Sequence, residues 1–305
     1  MSGPEPEPAR RRWPLDGPLD LEGTTMIGDF GRGNPSVRRL AEGELAQAVW
    51  TPEGPATLHL RIAAGELEAT TWGEGREALM AALPGYVGLD DRPPRFGGPL
   101  ASLERRAPGL RCSRAPNLFD VIAGHVIRQR VAWRDAVATQ IAIMAAHALA
   151  APGPFALKLP LSPAQWGTLG ASDLAAFGLE RKRASTLLGV AARAERIVGW
   201  ATLGSQEFGR RLELLAGIGP WTRAQVQAIG LGDPDAVPLG DYELPSMVAH
   251  VLAGEPRADD ARMLELLEPW RGHRNRVIRL LRAAGVGAPR FGPRVRGTEP
   301  GKRGF

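Results

Sequence analysis

The chain has 305 residues, 44% hydrophobic and 23% charged, enough for two or three packed units, and it lacks the run of roughly 18 apolar residues that a membrane span needs. A single cysteine, Cys112, excludes an intramolecular disulfide, a cysteine-rich zinc site and a four-cysteine iron–sulfur cluster, and His59, His125, His147, His250 and His273 show no metal-ligand spacing. Net charge is +5, but the last twenty residues hold Arg290, Arg294, Arg296, Lys302 and Arg303 against Glu299, so five cations minus one anion put +4 of it in the tail.

An anionic partner must therefore be argued from a local basic face. The segment 101–160 offers one, with eight Lys/Arg against three acids, although a merely solvated face has the same composition. The opening MSGPEPEPARRRWP carries charges and prolines where a signal peptide needs apolar residues, so a cytoplasmic protein without a membrane partner is expected.

In chain order, residues 1–15 are rich in Pro, Glu and Arg without apolar periodicity and read as disordered. Residues 24–27 and 45–50 have strand character. Over 56–62, Leu58, Leu60 and Ile62 alternate with Thr57, His59 and Arg61, the pattern of a half-buried strand. Ala64-Gly65-Glu66 then turns the chain into 67–72, predicting a hairpin, and 77–83 reads as helix.

After the break RPPRFGGP at 92–99 strand signals cease. Helical spacing runs over 118–129 and 133–149, Ser162-Pro163-Ala164-Gln165 is a capping box with Pro at the first helical position, and further helices fit 181–199, 205–215, 220–230, 242–253, 259–267 and 270–284. The tail from 286 to 305 is basic and reads as disordered. The expected fold class is α+β: a small antiparallel β-sheet domain with a helix over 16–98, then a mainly α-helical domain over 99–285.

Leu214-Leu215-Ala216-Gly217-Ile218-Gly219-Pro220-Trp221-Thr222 joins two helices through a turn whose glycines permit positive φ and close backbone approach. Such a turn presents bare N–H groups at the start of the second helix, a site for phosphate without base preference, though a lone GxG is more often an ordinary cap. Beyond it comes Val237-Pro238-Leu239-Gly240-Asp241-Tyr242-Glu243, where Asp241 reads first as a helix cap. Capping would fix the carboxylate's orientation at the end of the helix dipole that favours negative charge.

Together these strings resemble the helix-hairpin-helix DNA glycosylases, and over roughly 15–290 the chain is most similar to the 3-methyladenine DNA glycosylase II family, including the late stretch LLEPWRGHRNRV. The resemblance implies a monofunctional DNA N-glycosylase of base excision repair, acting as a monomer on double-stranded DNA with damaged bases, alkylated purines above all, and needing no cofactor. Asp241 matches the family's essential carboxylate. Hydrolysis passes through positive charge on the deoxyribose, and a carboxylate about 4 Å away at an effective dielectric near 20 contributes roughly 4 kcal/mol, about a thousandfold in rate.

Bifunctional relatives carry a lysine two residues after the second hairpin glycine. Trp221 stands there, and an indole cannot form a Schiff base, so base removal without lyase activity is expected; the ring is either a stacking wall for a cationic base or a core aromatic. The same resemblance assigns DNA contacts to Gln129, Arg130, Gly217, Ile218, Gly219 and Thr222, with Arg130 either the wedge that fills the gap left by the extruded nucleotide or a plain surface arginine. Gln225 and Tyr242 are expected beside Trp221 in the substrate pocket. Backbone carbonyls around Glu213, Leu215 and Ile218 correspond to a monovalent-cation site in related proteins. The alternatives are a DNA-binding protein that grips backbone without catalysis, and an endonuclease III-like lyase, which the missing lysine and cysteines oppose.

Overall fold

The computed structural model of the chain describes residues 7–26 and 33–285. Its five strands, β1 (Ala9–Pro14), β2 (Val37–Ala41), β3 (Glu44–Thr51), β4 (Gly54–Ala63) and β5 (Glu66–Trp72), form one antiparallel sheet in the order β1-β5-β4-β3-β2. Ala63 pairs with Glu66 across the predicted hairpin, and both turn residues, Ala64 and Gly65, have positive φ. That geometry matches the right-handed twist of the strands it joins.

Helix α1 (Leu21–Thr25) precedes β2 and α2 (Arg76–Tyr86) follows β5. Leu45, Leu58, Leu60 and Leu67 are fully buried in one core with Leu79 and Leu83 of α2. The opposite sheet face, expected to meet solvent, is partly covered: Ala46 and Ala48 pack with Leu157 and Leu159, and the Trp50 indole N–H donates to the Pro160 carbonyl at 2.7 Å. Chain from beyond the helical segment 133–147 thus roofs the sheet, and Thr57 is fully buried although the alternation made it polar-out.

Two expectations for the N-terminal region are overturned. Residues 9–14, read as disordered, form edge strand β1 paired along β5, with Arg12 reaching Glu68 at 3.2 Å and Trp13 packed on the sheet core. Backbone pairing on an existing edge needs little apolar content, which is why composition missed it. Residues 24–25, read as strand, belong to α1, where Asp20 accepts the Gly23 amide at 2.8 Å; the cap outweighs the β-branched threonines. Ile27 and the segments 1–6 and 286–305 lie outside the described residues.

The helices continue with α3 (Ala101–Arg106), α4 (Leu118–Ile127), α5 (Trp133–His147), α6 (Pro163–Gly167), α7 (Ala171–Ala176), α8 (Arg181–Ala191) and α9 (Ala194–Gly199). Then come α10 (Ser205–Glu213), α11 (Pro220–Gly230), α12 (Leu244–Ala253), α13 (Asp260–Leu267) and α14 (Arg274–Ala283). The capping box at Ser162 is complete, with both reciprocal bonds to Gln165 present. The single helix expected over 181–199 is two, because Arg193 leaves helical geometry at φ −124°.

Two apolar cores organise these helices. Ile122 and Ile127 of α4 meet Ile143, Leu187, Ile197 and Phe208 in one; Leu103 of α3 joins Val248, Met263, Val277 and Leu281 of α12–α14 in the other. α4 lies along α11, so closely at one end that a Cβ on Gly230 would stand 2.4 Å from Leu118 Cδ1. A part-buried ion pair ties the sheet side to the last helix. Asp91 accepts from Arg276 at 2.6 and 2.7 Å and from the Cys112 amide at 2.8 Å.

Candidate active site

The loop between α10 and α11 is the predicted hairpin. Gly217 has φ +85°, and a Cβ there would fall 1.9 Å from Thr186 Oγ1 of α8, so glycine is required on both counts. Gly219 caps α11 with no side-chain hydrogen bond, and a Cβ at Gly219 would meet nothing within 4 Å. With Pro220 at the first helical position, the start of α11 is an uncapped helix end facing open space, suited to an anion.

Other members of the expected DNA-contacting set are engaged differently. Gln129 Nε2 donates to the Gly217 carbonyl and to Thr222 Oγ1, each at 2.9 Å, so this amide clamps the hairpin to the α4–α5 loop and is not offered to DNA. Thr222 is 2% exposed and its hydroxyl faces Gln129; Ile218 is buried and its amide is spent on the Leu215 carbonyl at 3.0 Å. Their side chains are inward because the tight turn must pack on α4 and α8. Arg130 is exposed with φ +54°, a left-handed conformation that non-glycine residues rarely adopt and that recurs at functional loops.

The backbone of Glu213, Leu215 and Ile218 offers only neutral carbonyls to a monovalent ion, since the Glu213 carboxylate is paired with Arg223 at 2.7 Å. Those carbonyls are compatible with a weakly held cation. The chemistry below does not depend on one.

Asp241 stands where the Gly240 turn, at φ +80°, leads into α12. Its Oδ1 accepts the Glu243 and Leu244 amides at 3.1 and 3.0 Å, closing a turn just ahead of α12, whose cap position is Glu243 and not, as expected from sequence, Asp241. Its Oδ2 accepts the Trp221 indole N–H at 2.9 Å, and Arg282 Nη2 of α14 approaches the same oxygen at 3.8 Å. The carboxylate is therefore held by groups from α11, α12 and α14 and remains 16% exposed, directly beside the hairpin.

Trp221 thus joins Asp241 by a bond the sequence did not reveal, and its ring lies 5.8 Å from that of His125 on α4. His125 is buried, and its Nδ1 lies 2.7 Å from the Val121 carbonyl, which can only accept, so the proton sits on Nδ1 and Nε2 presents a lone pair. Burial first, and the nearby Arg128 second, push its pKa down to about 3, keeping it neutral. Sequence reasoning gave His125 no chemistry because a lone histidine in an apolar helix carries no pattern. Arg282 was missed for a similar reason: it reaches Asp241 only once α14 has docked.

Gln225, expected in the pocket, is buried one turn beyond Trp221. Tyr242 does not line a pocket. It is 96% exposed, because the turn closed by the Asp241 carboxylate onto residues 243 and 244 throws the intervening side chain outward.

Neither a family model nor a curated protein sequence matches the chain. Solved structures do. A 3-methyladenine DNA-glycosylase from Archaeoglobus fulgidus superposes with a TM-score of 0.74 at 20% identity, covering 89% of this chain and 96% of that one. The 8-oxoguanine glycosylase/lyase of Clostridium acetobutylicum gives 0.69 at 11% identity over 92% and 97% of the two chains. A Schizosaccharomyces pombe 3-methyladenine DNA glycosylase in complex with abasic DNA gives 0.50 at 15% over 61% and 90%. At these identities the likeness shows the fold alone: the chain shares the fold of these DNA glycosylases.

Proposed function

We propose that the chain is a monofunctional DNA N-glycosylase that extrudes a damaged purine, an alkylated one foremost, from duplex DNA and hydrolyses its bond to the sugar, with Asp241 as the catalytic carboxylate. The observation that carries this reading is the placement of Asp241: fixed by the Trp221 indole and two backbone amides, partly open, and adjacent to an uncapped helix end that suits a phosphate. A preorganised anion beside the sugar of a phosphate-anchored nucleotide stabilises the oxocarbenium-like transition state without reorganising as charge develops. Orientation of the attacking water by the same carboxylate is compatible with this geometry.

Arg130, in its left-handed backbone conformation at the tip of the loop clamped by Gln129, is assigned as the wedge. Trp221 takes two roles, orienting Asp241 through its N–H and offering its ring as a wall beside the base. Strand cleavage is not expected, since the amine position of lyases is an indole; of the described lysines, Lys158 donates to the Ala145 carbonyl and Lys182 lies exposed on α8. The reading also places the protein as a monomer in the cytoplasm, with a sheet-bearing N-terminal region before the helical glycosylase region.

Duplexes bearing 7-methylguanine or hypoxanthine test this. Abasic sites should accumulate, and strands should break only after added alkali. Strand breaks without alkali would revive a lyase, and tight duplex binding without base release would favour a non-catalytic binder.

A further inference from the structure

Arg276, Arg279 and Arg282 recur every third residue along α14, and the first two are spent inside the protein. Arg276 pairs with Asp91 at 2.6 and 2.7 Å, and Arg279 donates to the Gly23 and Thr24 carbonyls at 2.8 and 3.0 Å. Arg282 is different. It sits in the last turn with its side chain 40% exposed, and its Nη2 stands 3.8 Å from Asp241 Oδ2, too far for a hydrogen bond. Among the described residues its guanidinium makes no hydrogen bond, and no second acid lies within ion-pair reach of it. A cation at the end of a helix offsets the helix dipole and commonly does no more. This one brings unspent donors to the carboxylate on which base release depends.

Left as it stands, that cation opposes the proposed chemistry. A unit positive charge about 6 Å from the forming oxocarbenium, at an effective dielectric near 20, slows release roughly a hundredfold. An anion must therefore answer the guanidinium once substrate is bound. DNA brings one, since the sugar of each internal nucleotide carries a phosphate on either side, and the guanidinium fork matches two phosphate oxygens at once.

Resting on the base-release reading, we infer that Arg282 is a substrate-binding residue that grips a phosphate flanking the extruded nucleotide. The contact neutralises the guanidinium and leaves the charge of Asp241 to the sugar. It also gives the lesion a second anchor: the open start of α11, tied to Asp241 through Trp221, holds backbone at the hairpin, and α14 holds it through Arg282.

The test uses a duplex carrying a tetrahydrofuran abasic analogue, with the phosphate on each side of the analogue replaced in turn by neutral methylphosphonate. Wild type should lose at least tenfold in affinity at one of the two positions, the scale of a charge-assisted hydrogen bond. Arg282→Ala should lose a similar factor on the unmodified duplex and be indifferent, within twofold, to methylphosphonate at that position. Its slope of log affinity against log salt should shrink by about one. Thermal melts establish that the variant is folded, and the methylphosphonate arm on wild type needs no variant. Insensitivity of wild type at both positions, or equal losses by wild type and Arg282→Ala at each, would overturn the assignment. So would an Arg282→Ala that binds as tightly as wild type and releases 7-methylguanine faster, the mark of a cation that only tempers Asp241. Failure of wild type to release any base sinks the catalytic reading alone, because the abasic duplex holds no base to release and its binding still decides the contact.

Discussion

At the scale of single residues, the account rests on how Asp241 is held. Its hydrogen bond from the Trp221 indole is to a charged acceptor, a class that contributes about 1.5–3 kcal/mol. Trp221→Phe keeps a ring against His125 but removes the N–H. It should slow single-turnover base release roughly tenfold to a hundredfold, the kinetic equivalent of that bond, with duplex affinity unchanged; an unaltered rate would reduce Trp221 to packing. Asp241, the hairpin glycines and the absent lysine were legible because they sit in short contiguous strings. The bond between Trp221 and Asp241 was not, since it depends on how a turn with φ +80° at Gly240 aims a carboxylate back across the loop.

Among elements, the long amphipathic segments, the hairpin and the capping box of α6 were readable, and two short N-terminal elements were not. β3, β4, β5, α2, α4, α5 and α11 follow from periodicity. β1 and α1 do not, because one is made by edge pairing and the other by the Asp20 cap. The hairpin offers a direct check of element-level reasoning. Gly217→Ala would place a methyl 1.9 Å from Thr186 Oγ1 and impose a β-carbon on a left-handed backbone. The turn must deform, so anisotropy titrations at fixed salt should show at least a tenfold weaker grip on undamaged duplex, a floor corresponding to about 1.4 kcal/mol. Equal affinity for duplex would show that the hairpin is not the backbone anchor.

For the whole molecule, the α+β division was visible in the sequence as the loss of alternation after the break at 92–99, whereas the bonds that lock the parts together were not. Asp91 and Arg276 are 185 positions apart, with side chains 13% and 8% exposed. Burial alone would raise the Asp91 carboxyl, but its hydrogen bonds to Arg276 and the Cys112 amide outweigh that and hold it below its ordinary value of 3.8. A carboxyl depressed in the folded state stabilises above its unfolded pKa and loses that contribution as pH falls below about 4 through the folded value. Asp91→Asn strands the guanidinium and should cost about 3–5 kcal/mol at pH 7. Denaturant melts should show that deficit shrinking below pH 4; a deficit independent of pH would mean the pair is not what docks α14, and with it Arg282, against the site.

The most direct test of the central claim is single-turnover release of 7-methylguanine from duplex DNA by wild type and Asp241→Asn, both at saturating protein. Loss of a carboxylate about 4 Å from the developing charge predicts a drop of about a thousandfold, with duplex affinity within a few fold of wild type. Release by Asp241→Asn at the wild-type rate would contradict the account.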